Sequence, residues 1–498
     1  MRFLKTLTFL MLATGRVFAL PIWAQQPVPA NARKPLNSVR IVTLLAGGAQ
    51  SRSVAMLVKQ RGIDFDPPDD YLQEVRLAGG DDALITALQS AQVTKPANVD
   101  PAAQAREAEL CRHVARGVEL AKKEQYAESE QEYRAALQLD SQNAGIYMGL
   151  ANVLGQEKRW GDAESAVEEA LRWDPNNDLA HYNRGVALQE KGDVDGAIAE
   201  YREALRLNPD NGLAHNNLGN ALGDKGDLDG EIGQFREALR TRPDVIATHV
   251  NLGMALGRKG DWDGAIAEYR EALRWSPHNA LAHNTLGVAL ENKGDWDGAI
   301  AEYRETLRLN PTLDAVHVDL AAALASKGDL NGAISEYRVA QRLFPQNEAV
   351  HAGLGMALFR MGDTADAISE YREVLGLNPN NDWAHMALGF ALGKKGDLDG
   401  AILEYRQALH LNPDNDAAHA NLGLALFSKG DVDGALAEYR EALRLNPKVA
   451  DVHNNLGVAL ERKGDWRGAR QEYREAYTRD PTNATYKRNY QRLAMLRE

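Results

Sequence analysis

The chain has 498 residues, 44% of them hydrophobic and 26% charged, which is material for a packed core rather than for a disordered chain. Lys plus Arg number 57 against 70 Asp plus Glu, a net charge of −13, a balance that argues against a sequence-independent nucleic-acid binder and favours basic or neutral partners. The single cysteine, Cys111, excludes an internal disulfide framework and any CxxC metal or haem motif; it reads as a small buried hydrophobe.

The first 24 residues carry Arg2 and Lys5, then apolar stretches over 7–13 and 17–24 before Gln25. This is the pattern of a secretory signal peptide cleaved after Ala24, or after Ala19 as second choice. Arg16 interrupts the apolar run, so an uncleaved membrane anchor and a soluble helix stand as competing readings. No other stretch reaches the roughly 18 apolar residues of a membrane span. Cleavage would deliver the chain to the periplasm or the outside of a bacterial cell, where a cysteine-poor exported protein fits.

Residues 25–36 form a proline-rich polar linker, and 37–92 read as a small helical module. Ser53 and Val54 open a helix with Val54, Leu57 and Val58 on one face, stopped by Gly62. Asp66 and Pro67 supply an N-cap and first-turn proline for a second helix, with Tyr71, Leu72 and Val75 inward and Gly79-Gly80 as its stop. Asp81 or Asp82 caps a third through Leu84, Ile85 and Leu88. The strings 57–65, 69–72 and 78–85 resemble a recurrent short module of bacterial envelope proteins that also carry repeats, a likeness that implies no chemistry. At about 55 residues the module is marginal alone and is expected to dock on the first repeat. Residues 93–109, with breaks at Lys95-Pro96 and Asp100-Pro101, are read as a linker and N-terminal cap.

From there the chain keeps time. Pro175, Pro209, Pro243, Pro277, Pro311, Pro345, Pro379, Pro413, Pro447 and Pro481 follow one another at intervals of 34 residues, and a period in that range marks a solenoid of helix-turn-helix units. Eleven repeats fill 110–483: 110–143, 144–177, 178–211, 212–245, 246–279, 280–313, 314–347, 348–381, 382–415, 416–449 and 450–483. In each, apolar residues three or four apart, such as Leu252 with Leu256 and Tyr269 with Leu273, make both helices amphipathic. Gly253 and Ala272 are small where the helices must approach. Gly260 is the left-handed stop and Asp261 the next N-cap, and the proline link ends the second helix. The tail 484–498 forms a cap, with Tyr486, Tyr490 and Leu493 on one stripe and Lys487, Arg488, Arg492 and Arg497 elsewhere.

The small and apolar positions of 178–211, namely Gly185, Leu188, Gly192, Ala197, Tyr201, Ala204, Leu205 and Pro209, recur in register through the array. They closely resemble the tetratricopeptide repeat (TPR) family. The expected fold is therefore all-α, a right-handed α-solenoid or superhelix of eleven 34-residue helix-turn-helix TPR repeats behind the small N-terminal helical module. Helices of about 14 residues, stacked, imply a contour on the order of 200 Å.

Ten of the twelve histidines share the fourth repeat position: His113, His181, His215, His249, His283, His317, His351, His385, His419 and His453, with Tyr147 replacing it once. Ligands of one zinc must converge near 2.0–2.1 Å, whereas equivalent positions in adjacent repeats lie about two helix widths apart. The ladder is read as structural, and no metal is expected. Glu200 and Glu203 are placed on a solvated face, as one exposed set among many. No nucleophile elbow, phosphate loop or HExxH string appears, and no cofactor or enzymatic activity is expected.

The resemblance implies a concave groove lined by the second, fifth, sixth, ninth, twelfth and thirteenth repeat positions. The sixth carries Asn183, Asn217, Asn251, Asn421 and Asn455, a ladder that resembles the peptide-holding arms of O-linked N-acetylglucosamine transferases, broken by Thr285, Asp319, Gly353 and Ala387. An amide both donates and accepts, which suits main-chain recognition; helix-to-helix bonding is the competing reading. Groove positions then turn apolar at Met356, Phe359, Met386, Phe390, Leu424 and Phe427, a surface for an apolar peptide or helix, against the reading that they fill a tightly wound inner face. The lysines that some family members use to clamp a C-terminal carboxylate are missing, with Leu179, Leu213, Ala247, Leu281 and Val250 in their places. The function read from the chain is a non-enzymatic scaffold or adaptor that binds a protein or peptide in the bacterial cell envelope. The alternative is a peptide-presenting accessory for a modifying enzyme, such as a glycosyltransferase acting in trans. Nucleic acid is not expected, membrane association requires an uncleaved N-terminus, and self-association stays open.

Overall fold

The computed structural model describes residues 35–94, 100–313 and 315–494. The signal segment with its cleavage position, most of the first linker, the Lys95-Pro96 break and Arg497 lie outside the described residues. The chain divides into two compact units, one ending at Thr285 and the other beginning at Leu286 among the described residues.

The first unit opens with α1 (Ser38–Ala46), α2 (Ser51–Arg61), α3 (Asp69–Leu77) and α4 (Asp82–Gln89). The sequence reading finds the last three and misses α1, whose Ile41, Val42, Thr43, Leu45 and Ala46 are all buried, so that no polar stripe marks it as helical. Its cap is local, the Arg40 N–H donating to Asn37 Oδ1 at 2.8 Å. The expected Asp66–Pro67 start of α3 is corrected: the helix begins at Asp69 with Pro68 as its extended N-cap and no side-chain cap. A residue that precedes proline is pushed out of helical geometry, and Pro67 precedes Pro68. Asp81 caps α4, accepting from the Leu84 N–H at 2.9 Å. The module is also more than a helical bundle. Isolated parallel bridges join Leu36 to Ile63 and Ile63 to Val93, and Gly62 sits there at φ +72°, where an added Cβ would lie 2.5 Å from the Gln92 carbonyl oxygen.

Docking supplies the apolar partner that so short a module needs. Helix α1 packs on α5 (Pro101–Lys122) and on the helix Ala144–Gln156, and α3 packs on α5. Tyr71 Oη donates to the Ser38 carbonyl at 2.8 Å. Cys111, on α5, is fully buried in this shared core, and burial pushes its thiol up to about 12.

Each unit then continues as helix pairs, the two helices of a pair packed on one another, as Gly212–Asp224 on Leu228–Thr241 and Asp416–Lys429 on Val432–Leu445, and successive pairs packed within each unit. The pair Ile246–Lys259 and Trp262–Trp275 shows how the repeat works. Gly260 at φ +86° ends the first helix, and Asp261 starts the second by accepting from the Gly264 N–H at 2.9 Å. Ala265, Ile266, Tyr269 and Ala272 of the second helix are buried. The Tyr269 ring lies so close to the first helix that a Cβ on Gly253 would meet its Cε1 at 2.5 Å. The same seat recurs at Gly423 beneath Tyr439, where the distance would be 2.8 Å.

Repeat 314–347 breaks this rule and shows its force. Ala321 stands where the seat glycine belongs, and the Tyr337 ring lies against the next repeat, where a Cβ on Gly353 would come 2.4 Å from its Cζ, as Tyr133 lies against Gly149 as well as against its own Gly117. Gly353 therefore interrupts the asparagine ladder because a tyrosine occupies the space.

Most histidines of the ladder are clamped at both ring nitrogens. His181 Nδ1 lies 2.7 Å from Glu200 Oε2 and Nε2 lies 3.2 Å from the Pro175 carbonyl oxygen. His249 meets Glu268 and Pro243 at 2.7 and 3.0 Å, and His351 meets Glu370 and Pro345 at 2.6 and 2.9 Å. Glu200 is thus half-buried in an ion pair, a correction to the solvated face expected for it. Where Tyr147 replaces histidine, Ala166 replaces the glutamate. A carboxylate and a carbonyl both only accept, so the imidazolium, donating twice, satisfies both. The Glu200 carboxylate holds His181 above the usual imidazole value, outweighing the desolvation that opposes it. At His249 and His351 burial pulls downward, and the carbonyl and carboxylate together overcome it.

The last repeat is covered by the helix Ala484–Ala494, with Tyr486 and Leu493 buried, as its apolar stripe implied. Arg492 leaves that stripe to pair with Glu461 at 2.5 Å.

Gly353→Asn, which would mend the asparagine ladder, is expected to destabilise the chain by about 1–3 kcal/mol through overpacking against Tyr337, and adding Ala321→Gly should recover part of that in denaturant titrations. Because the clamped histidines have raised folded values, their contribution is complete below about 6.5, the unfolded imidazole value, and is lost as pH climbs through the folded one. The thermal midpoint should fall over that window, and the chain with His181→Gln, His249→Gln and His351→Gln should fall less steeply across it.

Candidate protein-binding surface

The first helices of the repeats carry the candidate positions, and the structure divides them into two kinds. Asn183, Asn217 and Asn251 are buried and committed to the preceding repeat. Asn183 Nδ2 donates to Asn152 Oδ1 at 3.1 Å, Asn217 Nδ2 to Tyr182 Oη at 3.2 Å, and Asn251 Nδ2 to Asn220 Oδ1 at 3.4 Å. Thr285 and Asp319, which interrupt the ladder, are buried as well. Asn421 and Asn455, in the second unit, are half-buried, and their side chains bond to no described residue.

The apolar candidates all lie in the second unit, on the helices Glu348–Met361, Asp382–Lys395 and Asp416–Lys429. Met356, Phe390 and Leu424 share the ninth repeat position, and Phe359 and Phe427 share the twelfth. At the junction of the first two helices the Phe359 and Phe390 ring centroids are 5.5 Å apart and tilted by 57°. Phe359, Met356, Met386 and Phe427 rest their inner sides on the core. Phe390 and Leu424 are 41% and 48% exposed. Lys394 Nζ stands 5.6 Å from the Phe390 ring centroid, covering its edge of the patch with a cation, and Asn415 Nδ2 reaches Met386 Sδ at 3.8 Å.

Chemically this surface offers apolar area with adaptable Met side chains and little polar demand. It holds no array of nucleophile and base. Among the described residues no group of three or more His, Cys, Asp or Glu side chains is placed to hold a metal ion, and no described helix is long and apolar enough to cross a membrane. The sequence reading groups the asparagines by repeat position alone. What separates them is whether the preceding repeat offers a partner, and the signal is the polar residue at Asn152, Tyr182 or Asn220, one helix pair back.

Models of the tetratricopeptide repeat match residues 250–314, 352–416, 386–448 and 420–484 in one form and 120–187 and 293–357 in another, and a TPR repeat model matches 187–226. No curated protein matches the chain. Among solved structures, MamA is 26% identical, covering 35% of this chain and 94% of its own with a TM-score of 0.32. The APC/C hetero-tetramer Cut9–Hcn1 is 16% identical, covering 77% of this chain and 96% of its own with a TM-score of 0.41. YrrB, described as a TPR protein with an unusual peptide-binding site, is 21% identical, covering 38% of this chain and 97% of its own with a TM-score of 0.34. With the helix pairs, the seat glycines and the repeat models in agreement along the array, the chain belongs to the tetratricopeptide repeat family.

Proposed function

We propose that this chain is a non-catalytic protein-interaction scaffold that binds an apolar helical or extended segment of a partner protein on the surface of Met356, Phe359, Met386, Phe390, Leu424 and Phe427. The family's repeats serve protein–protein interaction, and TPR folds are generally non-catalytic. The observation that carries the finer reading is the exposure of Phe390 and Leu424 beside a pair of touching phenylalanine rings. A monomer leaves such neighbouring apolar side chains uncovered where a partner supplies the cover. The half-buried amides of Asn421, on the helix that carries Leu424 and Phe427, and of Asn455, on the repeat that follows, are available to a bound main chain.

Export belongs to the same proposal. It rests on Arg2, Lys5 and the apolar stretches before Gln25, the pattern of a cleaved leader in a bacterial envelope protein. N-terminal sequencing of the protein recovered from an envelope fraction should begin at Gln25; a chain beginning at Met1 in the cytosol would contradict it.

Short random peptides selected on the full chain should carry apolar residues at helical or alternating spacing. Phe390→Ser with Leu424→Ser should weaken their binding by about tenfold or more. Both side chains are exposed, so each change should alter stability by only about 0.5 kcal/mol. Equal binding by the doubly substituted chain would contradict the proposal.

A further inference from the structure

The repeats act as internal controls for one another, and in the second unit one place on their outer surface departs from the pattern at several positions together. In most other repeats a lysine that ends the first helix pairs with an aspartate in the second helix of the repeat before it. Lys225 meets Asp195 at 2.9 Å, Lys259 meets Asp229 at 2.6 Å, and Lys463 meets Asp433 at 2.7 Å, with Lys327–Asp297 and Lys429–Asp399 formed likewise. At the corresponding junction of repeats 314–347 and 348–381 both partners are gone: Asn331 replaces the aspartate and Met361 the lysine. A second ion pair is lost beside it. Glu305 holds Arg308 at 2.6 Å and Glu441 holds Arg444 at 2.6 Å, but Val339 takes the glutamate's place next to Arg342.

These substitutions converge on one feature. Asn331, Val339, Met361, Arg338 and Arg342 line a cleft of about 330 Å³, floored by Ile334 and Leu358. Met361 is 47% exposed. Arg338 and Arg342 make no ion pair with a described residue. The cleft's one carboxylate, Asp363, is turned to its own helix, where it accepts from the Asp366 N–H at 3.3 Å. The replacements thus remove two acids and one base from the surface, leaving apolar side chains beside Arg342, which loses its usual glutamate, and beside Arg338, neither with a counter-ion among the described residues. In a chain whose net charge is −13, that is a local reversal of sign.

We propose that this cleft is a second docking site, separate from the apolar surface on the first helices, and that its occupant is a peptide segment of a partner protein carrying an Asp or Glu carboxylate beside an apolar side chain. The arginines receive the carboxylate through their planar N–H forks, and Val339, Ile334 and Met361 receive the apolar group. Charge complementarity fixes the choice of occupant: an apolar segment alone would leave both guanidinium groups unanswered, and a basic one would be repelled.

The test uses the full chain carrying Phe390→Ser and Leu424→Ser, so that the other surface is silenced, alongside the same chain with Asn331→Asp, Val339→Glu and Met361→Lys. The added substitutions restore pairs that other repeats already form, so that chain should melt at the same temperature or higher. Short random peptides that bind the first chain and are depleted on the second should be rich in Asp or Glu beside Leu, Ile, Val, Met or Phe. They should bind the restored chain about tenfold more weakly and lose affinity as salt is added. Recovery of no discriminating peptide, or of peptides without an acidic residue, would overturn the proposal.

Discussion

The stack depends on a ring lying where a side chain would ordinarily be. The tyrosine in the second helix of a repeat rests on the bare backbone of a glycine in the first, as Tyr269 does on Gly253 and Tyr439 on Gly423. This contact sets how closely the two helices approach, and the alanines and leucines around it fill the remaining space. The requirement is for an empty place near the ring rather than for one particular residue number. Where Ala321 fills the usual place, the Tyr337 ring lies over Gly353 of the next repeat, a second opening that Tyr133 also uses at Gly149. A position that looks like a gap in a recognition ladder is in this way assigned to packing.

Once the tyrosine has fixed the pair, polar groups fix the links between pairs. The left-handed glycine, the capping aspartate and the proline joint leave few backbone groups without partners. The histidine then joins the joint to the second helix by donating to a proline carbonyl and to a glutamate 19 residues further along the chain. Where Tyr147 takes the histidine's place, Ala166 takes the glutamate's, and where Gln234 stands for the glutamate it still meets His215 at 2.7 Å. With scaffold and joints met at fixed positions, the remaining positions are free to vary, and both proposed binding surfaces lie there: an apolar one on the first helices and an arginine-lined one between a second helix and the first helix that follows it.

Much of this is legible in the chain because the decisive information is local and repeated. Gly260 and Asp261 state a stop and a start within two residues, and the prolines count the units. The helix Ser38–Ala46 is not legible because it lacks a polar stripe, and its burial depends on α5 and the helix Ala144–Gln156, far along the chain. The start of α3 is misread from Asp66–Pro67 unless the effect of Pro68 on Pro67 is included. The histidine ladder is visible as a pattern, but its pairing with glutamates joins two helices and cannot be read from either one. For the candidate surface, the apolar set Met356, Phe359, Met386, Phe390, Leu424 and Phe427 is legible from repeat position. The burial of Asn183, Asn217 and Asn251 is not, because it rests on residues of the preceding repeat.

The dependence of the stack on the tyrosine seat is tested most directly by native-state hydrogen exchange on the Gly423→Ala chain. One methyl group placed beneath Tyr439 should lower protection by about 1–3 kcal/mol, and do so first in the helices Asp416–Lys429 and Val432–Leu445 that the ring holds together. Protection equal to that of the parent in those two helices would contradict a packing set by the tyrosine's seat on bare backbone.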